Sequence, residues 1–161
     1  MSVQRIHDWM SLAGHRPELK QGQHSITEWS ITGRIGEAPG TVYTVVTDTK
    51  VGLASVSMGT QFSPEHQHVV ERLPPELFER AARPIMRSVW AMGLIVFAWV
   101  RPQELGDGHP THWVLSENLV HDGLTRQRFH DAVQRVMSAN TLVSEAVNEA
   151  FGSEARTGVL R

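Results

Sequence analysis

Apolar positions along this chain follow two periods, and the change from one to the other marks its elements. In QRIHDWMSLAG, Ile6, Met10 and Ala13 fall at i, i+4 and i+7, with Val3 and Trp9 beside them, the stripe of a first helix. Gly14 and the nearby Pro17 stop it. The period then drops to two. Trp29, Ile31, Gly33 and Ile35 alternate with Ser30, Thr32 and Arg34, which predicts a half-buried strand. TVYTVVTDT, rich in β-branched residues, reads as a second strand. LASVSMGTQF reads as a third, with Ala54, Val56, Met58, Thr60 and Phe62 on one face. EAPG (Glu37 to Gly40) and DTKVG (Asp48 to Gly52) supply the turns between them. Strands joined by such short turns form an antiparallel meander, because parallel neighbours need long crossovers.

Helical signals return at Ser63, an N-cap, followed by Pro64 at the first helical position and Glu65 on the positive end of the helix dipole. A short helix runs from there to about Arg72. Leu73, Pro74 and Pro75 interrupt it, and a new helix carries Leu77, Ala81 or Ala82, Ile85 and Val89 at helical spacing. Pro84 lies inside that pattern and predicts a kink or a split, since it removes one hydrogen bond and crowds the preceding turn. Gly93 ends the helix. LIVFAWV is then apolar on both faces, which predicts a central or covered strand. The polar loop RPQELGDGHPT leads to HWVLSENLV, a fifth strand, and Asp122–Gly123 turns the chain. Thr125 caps a last long helix striped by Phe129, Val133, Val136, Asn140, Val143, Val147 and Ala150.

The order α-βββ-α(α)-ββ-α predicts an α+β fold, an antiparallel five-stranded sheet with helices on one face. The length of 161 residues suits one domain, expected over residues 1–151 with a flexible tail at 152–161. The N-terminus has early charges and no apolar run typical of a secretory signal. The longest apolar run, Val89 to Val100, is shorter than the roughly 20 residues a membrane helix needs, so no membrane role and a cytoplasmic location are expected.

Composition narrows the chemistry. The absence of cysteine removes disulfides, thiol nucleophiles and cysteine-bound metals together. The net charge of −2 lacks the basic surplus of a protein that binds by neutralising phosphates. A local strip is still available: Arg80, Arg83 and Arg87, at i, i+3 and i+7, share one helix face. That strip carries the nucleic-acid accessory reading, which ranks third.

Histidines are the candidates for catalysis. His66 and His68 would share a metal on a strand, but the Ser63–Pro64 start puts them on a helix. There, positions two apart diverge by about 200°. His109 and His112, with Asp107 near, are the second candidate, a loop metal site that would make the protein a metal-dependent enzyme. No ligand-spacing motif accompanies them. His121–Asp122 is explained by the turn. No nucleophile elbow or phosphate loop is present, and GRIGEAPG lacks the lysine and the following helix that a phosphate cradle needs. Glu71, Glu76 and Glu79 suit a solvated helix face, and the scattered tryptophans (Trp9, Trp29, Trp90, Trp99 and Trp113) suit a core. No cofactor, catalytic residue or metal ligand is therefore assigned.

Two stretches carry a family resemblance: VSMGTQFSPEHQ (Val56 to Gln67) and LVHDGLTRQRFHDAVQRV (Leu119 to Val136). With the order of elements, they resemble a small uncharacterised family of archaea and bacteria. That family has the class I type III secretion chaperone fold, shared with YbjN-like proteins. Residues from about Val3 to Ala150 fit the pattern. The resemblance implies a small homodimer that binds other polypeptides and has no catalytic set.

Apolar surface left over after folding points the same way. The expected interface is Ile95, Phe97 and Trp99, with Leu94, Val96 and Ala98 facing the core; the competing reading makes all six core. A dimer needs about 800 Å² per partner, which such a strand plus a helix can supply. The expected activity is thus non-enzymatic protein binding, as a chaperone, scaffold or regulator.

Overall fold

The computed structural model describes residues 3–21, 29–37, 41–48, 52–101 and 109–152. Its elements are α1 (Val3–Leu12), β1 (Glu18–Gln21), β2 (Trp29–Ile35), β3 (Thr41–Asp48), β4 (Leu53–Gln61), α2 (Pro64–Val70), α3 (Pro75–Ala91), β5 (Val96–Val100), β6 (His112–Val120) and α4 (Arg126–Phe151). The six strands form one sheet in the order β1-β2-β3-β4-β6-β5. The fold is α+β, with β1 to β4 pairing antiparallel in sequence order. By contact density the chain divides into two compact units, residues 1–58 with 116–136 and residues 59–115 with 137–161. The expected C-terminal tail from residue 153 lies outside the described residues, as do 38–40 and 49–51 of the two predicted turns.

In the first unit, register stacks the buried positions. Ile31 pairs with Val45, and Val45 with Val56; all three are fully buried. Gly33 pairs with Tyr43. A Cβ at Gly33 would lie 2.6 Å from Met10 Cε and 2.7 Å from the Tyr43 ring, so only glycine lets α1 and that ring close over the strand. Ile6, Trp9 and Met10 are the buried face of α1, and Trp9 meets Phe129 of α4 with ring centroids 6.0 Å apart.

In the second unit the core is aromatic. Phe78 stacks on Phe151 at 5.4 Å, Phe62 stacks on Trp99 at 5.8 Å, and Phe97 meets Trp99 edge-on at 4.8 Å. Ser63 caps α2 as predicted: its Oγ accepts from the His66 backbone N–H. Thr125 does the same for Arg128 at the start of α4. Gly93, at φ +84°, turns the chain out of α3.

Three expectations need correction. The sheet has six strands, not five: ELKQ pairs along β2, Glu18 with Thr32 and Lys20 with Ser30, although its charges and lack of β-branched residues gave no strand signal. Of the kink or split expected at Pro84, the split does not occur: α3 continues through it, and Arg80, whose carbonyl loses its donor, is exposed to water. β5 is the outermost strand rather than a central one, and its faces are reversed from the expected assignment. Ile95 and Phe97 are 4% and 9% exposed, whereas Leu94 and Val96 are 66% and 53% exposed. The larger rings of Phe97 and Trp99 turn inward onto the aromatic core, and period two then sends Val96 and Ala98 outward. No helix among the described residues is long and apolar enough to cross a membrane.

Candidate functional site

The histidines singled out in the sequence do not converge on a metal site among the described residues. His66 and His68 both lie on α2; His66 Nδ1 sits 2.8 Å from Ser63 Oγ, and His68 is exposed. His112 opens β6 with Nδ1 3.0 Å from Thr111 Oγ1, and His109 is half-buried before it. Asp107, their expected companion, lies outside the described residues. Among the described residues no three His, Asp or Glu side chains gather as metal ligands do. His121 belongs to the turn: its N–H donates to Gly52 O and its carbonyl accepts from Leu124 N–H.

What the second unit does offer is a cleft of about 510 Å³ bordered by α3 and β5. Helical spacing brings Phe78, Ala82, Met86 and Trp90 to it from α3, and Trp99 joins them from β5. Its charged lining is Glu79, Arg83, Arg87 and Arg101. Two of the three arginines of the predicted strip, Arg83 and Arg87, thus meet a third cation that the sequence places far away; Arg80 is exposed and lies outside the lining. None of the three lining arginines makes an ion pair among the described residues. Three guanidiniums against one carboxylate leave the cleft cationic in a chain whose net charge is −2.

Trp90 is 59% exposed, against expectation for a core residue, while Trp9 and Trp113 are buried as expected. Trp99 is half-buried, and its buried indole N–H has no acceptor among the described residues, a deficit worth about 1–3 kcal/mol. Trp113 contrasts with it, donating to Asn140 Oδ1 at 3.0 Å. The signal for the cleft was present in sequence only as the arginine strip and Trp90. Trp99 and Arg101 reach it through the packing of α3 on β5.

Residues 3–146 match the family described as uncharacterized conserved protein DUF2299. The chain belongs to that family. A crystal structure of an uncharacterized protein from Methanothermobacter thermautotrophicus is similar over 94% of this chain and all of that one. Its TM-score is 0.74 at 18% identity, a likeness of fold. E. coli YbjN is similar over 98% of this chain and 94% of its own, at a TM-score of 0.46 and 13% identity. Comparison with curated proteins gives no match.

Proposed function

We propose that this DUF2299 protein is a non-enzymatic binding module, a homodimer that engages a protein partner. The observation that supports it is the exposure of large apolar side chains on one short stretch. Leu94 and Val96, where the chain enters β5, are 66% and 53% exposed. Leaving such a group in water is unfavourable, at about 25 cal/mol per Å² of apolar surface, and a cluster of this kind usually marks an interface. On the outward face of β5, Ala98 is exposed beside Val96, and Val100 is half-buried. This face, rather than Ile95, Phe97 and Trp99, is the surface that a second copy covers. The opposite edge strand, β1, is short and carries Glu18 and Lys20, features that discourage pairing.

Light scattering on the purified protein tests the reading. The expected mass is twice the 18.0 kDa of one chain, with Leu94→Glu and Val96→Glu together shifting it to the monomer without loss of helical circular dichroism. A monomer at every concentration overturns the dimer.

A further inference from the structure

The cationic cleft lies on the side of β5 opposite the proposed dimer face, because Trp99 lines it while Val96 and Ala98 alternate to the other side. Dimerisation leaves it open. We infer that this cleft is the partner-binding site and that it takes an acidic polypeptide segment, with carboxylates on Arg83, Arg87 and Arg101 and an apolar or aromatic side chain against Trp90 and Met86. The inference rests on the binding-module reading and names the chemistry of its partner.

Three features select that occupant. First, charge is complementary: the three guanidiniums lack intramolecular partners among the described residues, and a guanidinium fork matches a carboxylate bidentately. Second, the lining interleaves those charges with Trp90 and Met86, a flat ring and an adaptable thioether that suit an apolar side chain flanked by acids. Third, size and sign disfavour the other polyanion. Grooves for single-stranded nucleic acid track about 4–16 nucleotides, and about 510 Å³ accommodates only a few side chains. Glu79 in the lining would also repel a continuous row of phosphates, whereas it can accept a backbone N–H of a peptide.

Fluorescence anisotropy with a labelled peptide that alternates glutamate with leucine and phenylalanine tests the inference. The comparisons are its glutamine counterpart and a labelled oligothymidylate. The glutamate peptide is expected to bind, and to weaken as salt is raised. Either Arg83→Glu or Arg87→Glu should weaken it by about tenfold or more, the scale of one lost charge-assisted hydrogen bond. Both arginines are exposed, so neither change threatens folding. Trp90→Ala should weaken both peptides. Equal binding of the glutamine peptide, indifference to both arginine changes, or no binding at low salt overturns the inference. Tighter binding of the oligothymidylate overturns it in favour of a nucleic-acid site. Light scattering on the same samples keeps the two proposals apart: a dimer that ignores the peptide sinks the cleft alone, and a monomer that binds it sinks the dimer alone.

Discussion

Arg135 of α4 forks onto the buried carboxylate of Glu117 on β6, Nη2 to Oε1 at 2.6 Å and Nε to Oε2 at 2.9 Å. The Glu117 side chain is 3% exposed and that of Arg135 is 39%. The hydrogen bond to Glu117, ahead of the opposing cost of burial, holds the guanidinium more firmly protonated than usual. The inner partner therefore depends on the outer one. Arg135→Ala leaves a charge buried without a partner and is expected to cost about 2–3 kcal/mol, less than a fully buried pair because water reaches the arginine side. Arg135→Lys should recover only part, having no planar fork. Replacing both residues with apolar ones should cost less than Arg135→Ala. Urea denaturation of the variants checks each step.

A second buried contact makes stability depend on pH. His15 Nδ1 lies 2.8 Å from the Tyr43 hydroxyl, and the His15 and His130 rings meet edge-on at 6.0 Å. Burial, and then the neighbouring His130, lowers the pKa of His15 below 6.5. Burial, and then Arg126, lowers that of His130, against a smaller opposing pull from Asp131. Burial also raises the Tyr43 pKa, so its hydroxyl keeps its proton. The unfolded chain thus binds more protons than the folded one as pH falls below 6.5. The contribution is complete above that value and is lost as pH falls through the lower folded-state values. Denaturant midpoints should fall from pH 6.5 downward, and His15→Gln should reduce the slope. An unchanged slope contradicts the assignment to His15.

Gly33 should tolerate no side chain. Gly33→Ala drives a Cβ into Met10 and the Tyr43 ring and is expected to cost about 1–3 kcal/mol. Trimming Met10 in the same chain should give back part of that loss only, because the ring contact remains. Thermal melts of the single and double variants read this directly.

Asn140 explains a polar residue in the apolar stripe of α4. Its Oδ1 accepts from Thr60 Oγ1 at 2.8 Å and from Trp113 Nε1 at 3.0 Å. Asn140→Leu leaves the buried indole donor unmatched and should cost about 1–3 kcal/mol. Asn140→Asp, which keeps the acceptor oxygen, should cost less. Equal losses would argue that packing, not the bonds, is what matters there.

These contacts show where sequence reasoning works and where it stops. Ser63–Pro64 and Thr125 announced their helices because a cap is a local bond between near neighbours. Val56 and Val45 announced their strands because period two is local as well. ELKQ announced nothing, since β1 is held by backbone pairing to β2 and not by its own side chains. LIVFAWV revealed a strand but not its facing: a run apolar at every position has no period, and only the rings of Phe62, Phe78 and Trp113 decide that Trp99 points inward. The cleft was half legible for a similar reason. Arg83, Arg87 and Trp90 share a helix, whereas Trp99 comes to it from β5 and Arg101 from just past the end of that strand.

The chain has no cysteine, so a single Ala98→Cys carries one nitroxide label on the outward face of β5. Double electron–electron resonance on that labelled protein tests the binding-module account most directly. A defined short distance between the two labels is expected, abolished when Val96→Glu is added. Absence of a dipolar signal at Ala98→Cys, or one unchanged by Val96→Glu, would contradict it.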